Sequence, residues 1–278
     1  MIAVVTDSTC DLPEDMAERY RVHVVAAYIN IGGESLKDGI DITRAQVYQK
    51  FAGNGETPKT ASPSPGEFAS LYDRLLEKAS HIVSIHIASQ FSGVFSAASV
   101  AAAQVDPNRV TVIDSGQISM GLGWAALSAA EAAKNSANLE GVLHSAQDAL
   151  RRVRLYALLD TLSYLARSGR VDFVRAGLSA ALNIKPILEI QAGTVKTKER
   201  IRTWSRATAA LTQLTARAAP LSALAVLHTN IEDEAGALLD SIKSAATLPE
   251  QTLIVNITPT IGIHTGPKTL GIAALLAT

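Results

Sequence analysis

Short apolar runs alternate with longer segments of helical periodicity along the first half of the chain. The runs are rich in Ile and Val, as expected for strands covered on both faces. We predict strands at Ile2–Thr6, Val22–Ile31, His81–Ala88 and Arg109–Ser115, with helices between them. Because this alternation favours a parallel sheet with right-handed crossovers, residues 1–150 are interpreted as a doubly wound α/β domain.

Two of the intervening helices have recognisable first turns. Thr43 with Gln46, and Ser64 with Glu67, have the spacing of a capping box. Pro65 stands at the first helical position of the second helix, where a missing N–H is tolerated. We expect Gly53 to end the first of these helices.

The pattern changes after residue 151, where strands follow one another with fewer helices between them. Gln191–Thr194 is typical of a hairpin turn, and helices are expected near 203–218 and 231–246. Residues 151–278 are therefore predicted to form a second domain of α+β type. Its predicted strands are Val153–Asp160, Ile184–Ile190, Val195–Arg202, Leu221–Thr229 and Thr252–Thr258.

Polar segments adjoin several of the predicted elements. Thr6–Thr9, Ser89–Gly93 and Asp114–Ser115 follow strands, and Lys59–Gly66 precedes a helix. In open α/β sheets, ligands bind outside the carboxyl ends of the strands. Hydroxyl groups with free N–H groups at a helix start suit a carboxylate or phosphate, although the same residues also cap helices without a ligand. Both interpretations remain open for each segment.

The segment Gly262–Pro267 places a histidine between glycines and a proline in a predicted loop. Such a histidine has few packing reasons to be there, which favours ligand contact at His264. The alternative is a histidine that caps a backbone carbonyl.

Composition and charge narrow the function classes. Hydrophobic residues make up 47% of the 278 residues and charged residues 18%, which is typical of a folded globular protein. With a net charge of -1 the chain lacks the basic surplus of proteins that neutralise many phosphates, so nucleic acid is not an expected partner. Cys10 is the only cysteine, which excludes an internal disulfide and a cysteine-based metal cluster and fits a reducing compartment.

We also expect a cytoplasmic protein without a membrane segment. The first residues include no basic region followed by a long apolar region, as a signal peptide would have. The uncharged stretch between Ala79 and Val105 is interrupted by polar residues such as His86 and Gln90, so it does not resemble a membrane span.

An ordered set of short motifs, spanning nearly the whole chain, resembles the DegV family. Each motif is short, but their combination in this order is highly specific. The motifs are Thr6–Thr9 with Asp11–Pro13, Thr60–Phe68, Ser92–Gly93, Val112–Ser115, Ser119–Gly123, Asp160–Leu165 with Gly169–Arg170, Leu182–Leu188 and Gly262–Pro267.

This resemblance implies a two-domain bacterial fatty-acid-binding protein, with the acyl chain buried and the carboxylate held at the domain interface. It implies no cofactor, and a ligand such as palmitate, stearate or oleate. The carboxylate contacts carried over from the family are Thr60, Ser62, Ser92, Gly93, His264 and Thr265, with Arg170 as electrostatic support. Ala61 departs from the family pattern, because many relatives carry a hydroxyl residue there.

The family resemblance also implies a role as a carrier that is not catalytic alone. A separate ATP-binding fatty acid kinase subunit would phosphorylate the bound carboxylate. Lys196, Lys198, Arg200 and Arg202 alternate along one predicted strand and so share a face. They are either a charged edge that prevents unwanted strand pairing or a stripe that meets an acidic partner or the new phosphate, with Arg200 and Arg202 as the candidate contacts.

Three enzymatic, nucleotide-binding or metal-binding alternatives find little support in the motifs. A small serine-type hydrolase or acyltransferase would use Ser92, His264 and Asp114 in the same pocket, although no G-x-S-x-G elbow is present. Gly121–Ala126 fits a dinucleotide-binding pattern, but helix–sheet packing explains it better, and no P-loop exists. The six histidines show no metal-binding spacing.

Overall fold

The structure, a computed structural model, describes residues 1–52, 58–169 and 184–278. The chain divides into two units, of which the first contains Met1–Ile42 with Lys59–Arg151 and the second contains Thr43–Pro58 with Arg152–Thr278. The segment Thr43–Pro58, which we placed inside the domain 1–150, thus groups with the second unit. Its helix is held there because the Tyr48 hydroxyl donates to the Ile257 carbonyl at 2.9 Å.

Strands β1 to β13 span, in chain order, Ile2–Asp7, Val22–Val25, Tyr28–Ile31, Glu34–Lys37, Lys59–Ala61, His81–His86, Val110–Asp114, Val153–Leu159, Lys185–Gln191, Thr194–Ile201, Leu221–His228, Gln251–Asn256 and Thr269–Leu276. Helices α1 to α10 span Glu14–Tyr20, Arg44–Ala52, Pro65–Leu76, Val94–Val105, Ser119–Lys134, Leu139–Arg152, Ser163–Arg167, Trp204–Ala218, Glu232–Ala245 and Pro259–Thr265. A short 3-10 helix, Ser8–Cys10, follows β1. Gly53, the expected end of α2, lies outside the described residues.

The first unit is built on a parallel sheet of strand order β2-β1-β6-β7. Helices α3 and α4 pack together over β6, while α5 packs over β1 and beside α1. The predicted N-terminal α/β domain with a parallel sheet is confirmed. Parallel pairing brings the carboxyl ends of β1, β6 and β7 to one edge of the sheet. The polar segments Thr6–Thr9, Ser89–Gly93 and Asp114–Ser115 lie at this edge.

A small antiparallel sheet, β4-β3-β5, accompanies the parallel sheet. Val22–Ile31, predicted as one strand, is instead two, because Val22–Val25 pairs with β1 and Tyr28–Ile31 pairs with β4 and β5. The Ser8 hydroxyl accepts a hydrogen bond from Ala27 N–H at 3.1 Å where the chain changes sheets.

The second unit holds a six-stranded mixed sheet of order β10-β9-β8-β13-β11-β12, which confirms the predicted α+β texture. Ala192 and Gly193 have positive φ angles of 48° and 73°, as the predicted hairpin between β9 and β10 requires. Strand β13, near the middle of this sheet, was not predicted. Seven of its eight residues are buried, so it lacks the alternation of apolar and polar residues that marks a half-exposed strand.

The sequence predicts a loop at Gly262–Pro267, but in the structure most of this segment forms the last turn of α10. Thr258 caps this helix by accepting a hydrogen bond from Thr260 N–H, and Pro259 occupies its first position. Among the described residues, no helix combines the length and apolar character needed to cross a membrane.

Candidate functional site

Ser62, Ser92 and Gly93 come together at the carboxyl edge of the parallel sheet. The Oγ atoms of Ser62 and Ser92 lie 3.2 Å apart, and both residues are partly exposed. A Cβ atom added to Gly93 would stand 3.4 Å from Ser62 Oγ, so the glycine leaves the space beside the two hydroxyls open. Thr60 lies two residues before Ser62, on β5 and opposite Ile29.

This cluster adjoins the N-terminus of α4. Gly93 is the N-cap of this helix, and no side chain of the described residues caps it. The N–H groups of a first helical turn have no partner within the helix, and the helix dipole is positive there. Two hydroxyls therefore lie beside a helix N-terminus without a side-chain cap, a combination that suits a carboxylate.

The loop that carries Ser62 is fixed by the first turn of α3. Ser64 Oγ accepts from Glu67 N–H at 3.3 Å and Glu67 Oε2 accepts from Ser64 N–H at 2.9 Å, so the predicted capping box is confirmed. Glu67 Oε1 also accepts from the Tyr28 hydroxyl at 2.6 Å and pairs with Lys37 at 3.3 Å. Burial alone would raise the pKa of Glu67, but hydrogen bonds from Tyr28 and Ser64 lower it overall.

His264 and Thr265 end helix α10 in the second unit, and two tyrosine rings explain the glycines beside them. A Cβ on Gly262 would overlap the Tyr48 hydroxyl, and a Cβ on Gly266 would stand 2.5 Å from Tyr164 Cδ2. Gly266 also has a φ of 94°, which L side chains rarely adopt. The glycines of the motif therefore allow close packing, which we had not inferred from the sequence.

The Thr265 side chain has an unused hydrogen-bonding group. Its Oγ1 is buried and has no hydrogen-bond partner among the described residues. The backbone around it is well fixed, because Thr229 Oγ1 and Thr269 Oγ1 both donate to the Gly266 carbonyl, at 3.0 and 3.1 Å. Such an orphaned hydroxyl fits a role in ligand binding.

Lys196, Lys198 and Arg200 lie on β10, at the edge of the mixed sheet, and Arg202 follows directly after this strand. Lys196, Lys198, Arg200 and Arg202 are all exposed. Lys198 pairs with Glu189 of β9 at 3.1 Å, and the strand register shifts between Thr197 and Glu199. Lys196 lies opposite Glu189 whereas Arg200 lies opposite Pro186, so the prediction that all four basic residues share one face is wrong. Arg200 and Arg202 form no ion pair with the described residues. Arg170, expected to support the headgroup, lies outside the described residues.

The structure contains a buried hydrogen-bonded relay that sequence analysis did not find. Asp7 Oδ2 lies 2.9 Å from His86 Nδ1, His86 Nε2 lies 2.7 Å from Ser84 Oγ, and Ser84 Oγ lies 2.8 Å from the Tyr72 hydroxyl. All four residues are 0% exposed. Burial raises the pKa of Tyr72 to about 12, although its hydrogen bond with Ser84 lowers the value. The relay has the order of an Asp–His–Ser triad, but its hydroxyl is inaccessible to a substrate.

The residues considered for a hydrolase are engaged otherwise in the first unit. Asp114 Oδ1 accepts from the N–H groups of Ser89 and Gly116, at 3.2 and 3.0 Å, and Ser92 contacts Ser62. Gly123 lies within α5, where a Cβ atom would stand 2.7 Å from the Cys10 carbonyl oxygen. Gly123 therefore allows α5 to approach the 3-10 helix closely, which is a packing reason for this glycine.

A groove of about 1550 Å³ opens at the other edge of the parallel sheet. It is lined by residues at the amino ends of the strands, such as Ile2, Val22 and His81, and by charged residues such as Arg19 and Lys134. Because the polar loops leave from the carboxyl ends, this groove does not contain the Ser62–Ser92 cluster.

Comparisons with known proteins agree with the motifs. A model of the family described as "Uncharacterised protein, DegV family" matches residues 1–277. A DegV domain-containing protein of Streptomyces coelicolor is 36% identical over 279 residues, covering 98% of this chain and 97% of that protein.

Two solved structures are similar over 99% of both chains. One is a DegV family protein from Thermus thermophilus described for its fatty acid binding, with a TM-score of 0.89 and 34% identity. The other is DegV from Bacillus subtilis, described as a fatty acid binding protein, with a TM-score of 0.89 and 30% identity. The chain belongs to the DegV family.

Proposed function

We propose that this protein binds a long-chain fatty acid, such as palmitate, stearate or oleate, with its tail buried. The carboxylate is held by Thr60, Ser62, Ser92 and Gly93 in the first unit. The observation that carries this proposal is the pair of hydroxyls 3.2 Å apart beside the uncapped N-terminus of α4. The fatty acid binding described for the relatives from T. thermophilus and B. subtilis supports it.

The chemistry of this cluster suits one carboxylate. Neutral hydroxyl and N–H donors stabilise a single negative charge, whereas a triphosphate would call for a lysine-bearing loop. Burial of the tail contributes about 0.8 kcal/mol per CH₂ group, so the tail supplies most of the affinity and the hydroxyls orient the headgroup. No cofactor is needed for this role.

The experiment is a titration of the purified, delipidated protein with palmitate. Ser92→Ala should raise the Kd about tenfold or more, because it removes a hydrogen bond to a charged group. Ser89→Ala is the matched control, since Ser89 is an exposed serine of the same loop, and it should bind as tightly as the wild type. Equal Kd values for the two variants would contradict the assignment. His264→Ala and Thr265→Ala, which the family resemblance also assigns to the headgroup, are measured in the same assay.

We further propose that the protein is a carrier that presents the fatty acid to a separate ATP-dependent fatty acid kinase subunit and is not catalytic alone. The exposed arginines at the end of β10 support this proposal, because Arg200 and Arg202 leave positive charge available for an acidic partner surface or the new phosphate. The hydrolase alternative predicts ester turnover by the isolated protein that is lost in Ser92→Ala.

A further inference from the structure

The Asp7 carboxylate is buried, and it accepts hydrogen bonds from four donors. Asp7 Oδ1 accepts from Thr9 N–H at 3.1 Å and from the Thr9 hydroxyl. Asp7 Oδ2 accepts from the imidazole of His86 at 2.9 Å and from Ile87 N–H at 3.2 Å. A carboxylate that is 0% exposed requires such compensation for the loss of water.

One direction of donation satisfies every hydrogen bond of the relay. Tyr72 keeps its proton because burial raises its pKa to about 12. With Tyr72 donating to Ser84 and Ser84 donating to His86 Nε2, the imidazole carries its proton on Nδ1 and donates to Asp7. Every donor then has an acceptor, so the core has one fully satisfied arrangement.

This arrangement connects directly to the loop that carries Ser92. His86 ends β6, and Ile87 N–H is held by Asp7 of the neighbouring strand. Beyond it, Ala88 N–H donates to the Gln117 carbonyl at 3.0 Å. The first backbone N–H on the way from β6 to Ser92 therefore depends on the Asp7 carboxylate.

The relay also contacts the helix that follows Ser62. Phe68 and Tyr72 are one turn apart on α3 and so share a face. The Phe68 ring meets the His86 ring edge-on, with centroids 5.1 Å apart, while Tyr72 bonds to Ser84. One buried imidazole thus touches α3, which leads back to Ser62, and the carboxylate that holds the start of the Ser92 loop.

We propose that the Asp7–His86 pair, at one end of this relay, sets the position of Ser92 relative to Ser62, so that Asp7 and His86 are positioning residues for headgroup binding. The part that concerns the headgroup rests on the proposed function. The part that concerns the two loops is tested without any ligand.

The experiment compares Asp7→Asn with Tyr72→Phe by amide NMR and hydrogen exchange of the ligand-free protein, followed by titration with palmitate. In Asp7→Asn, the side-chain amide cannot accept from Thr9, His86 and Ile87 at once. The His86 proton can move to Nε2, which ¹⁵N shifts of the ring detect, but Ile87 N–H has no such freedom. Tyr72→Phe is the matched control, because it removes a buried hydrogen bond at the far end of the relay.

We expect amide exchange at Ile87 to accelerate about tenfold or more in Asp7→Asn, with shifted signals through Gly93, and the Kd for palmitate to rise by a similar factor. In Tyr72→Phe the amide exchange rate at Ile87 and the Kd for palmitate should both stay within about twofold of the wild type.

Unchanged signals from Ile87 to Gly93 in Asp7→Asn, or equal changes in both variants, would overturn the proposal. Shifted signals with an unchanged Kd would overturn the headgroup role. If the wild type binds no palmitate, the proposed function fails, and the amide comparison still decides the positioning of the loops.

A second pair of variants covers the case in which Asp7→Asn does not fold. His86→Asn keeps an N–H donor near the position of Nδ1, whereas His86→Leu removes it. The amide signals from Ile87 to Gly93 should stay close to wild type in His86→Asn and shift in His86→Leu. Similar spectra for the two variants would contradict the proposal.

Discussion

Single carboxylates fix the loops of the first unit at the residue scale. Glu67 closes the capping box of α3, accepts from Tyr28 on β3 and pairs with Lys37 on β4. One side chain thereby joins the small antiparallel sheet to the helix that follows Ser62. Because these bonds favour the ionised form, the pKa of Glu67 is lowered even though burial opposes the shift.

The lowered pKa of Glu67 predicts how stability depends on pH. Its contribution to the free energy of unfolding should be complete above the ordinary value of 4.5 and lost as the pH falls through the lower folded-state pKa. Glu67→Gln should lower the free energy of unfolding by about 1 kcal/mol at pH 7, as expected for a weakened cap. Urea unfolding from pH 7 to pH 3 measures this, and the two proteins should converge in acid.

Glu77→Gln, at the exposed C-terminal end of α3, is the matched control and should change little at any pH. A difference between Glu67→Gln and the wild type that is as large at pH 3 as at pH 7 would show that the carboxylate charge has no part in fixing the loop.

Local residue signals were predictable and distant ones were not. The capping boxes at Thr43 and Ser64 are confirmed because their donors and acceptors are three residues apart. Asp7 and His86 are 79 residues apart, and only the pairing of β1 with β6 brings them together. A histidine and a serine on the same face of an apolar strand were the signal available for this relay.

Elements with characteristic turn residues or an apolar–polar alternation could be predicted from the sequence. Elements whose bounds depend on the strands or side chains that they pack against could not. The hairpin of β9 and β10 follows from its turn residues, whereas β13 has no alternation to mark it. The split of Val22–Ile31 into β2 and β3 depends on which partner each half pairs with. Because glycines are typical of loops, the sequence predicts a loop at the last turn of α10, but here the glycines make room for Tyr48 and Tyr164.

At the scale of elements, the prediction concerns the arginines at the end of the edge strand β10. Arg200→Ala/Arg202→Ala should slow phosphorylation of bound palmitate by an ATP-dependent fatty acid kinase subunit about tenfold, because it removes two exposed charges that steer the partner. The Kd for palmitate should stay nearly unchanged. Single-turnover assays with the kinase subunit and fluorescence titration measure the two quantities.

Arg217→Ala/Lys243→Ala removes two exposed cations from α8 and α9 and serves as the control. Equal slowing by both double variants would mean that net charge, rather than the position of Arg200 and Arg202, matters. An equal loss of phosphorylation and of palmitate affinity in Arg200→Ala/Arg202→Ala would remove the docking role.

The order of short motifs is the most informative feature at the scale of the whole molecule. This order alone indicates the DegV family, and residues 1–277 match the family model. The grouping of Thr43–Pro58 with the second unit could not be predicted, because it depends on contacts such as that of Tyr48 with Ile257. The bound ligand is identified by measurement on the purified protein.

The most direct test is mass spectrometry of the purified protein under native and then denaturing conditions. The wild type should carry one fatty acid per chain and release it on denaturation. Thr60→Ala/Ser92→Ala should be depleted of this lipid, whereas Thr111→Ala/Ser89→Ala, a threonine and a serine that are not among the proposed headgroup residues, should retain it. A wild-type chain that carries no lipid and takes up neither added palmitate nor added oleate would contradict the account.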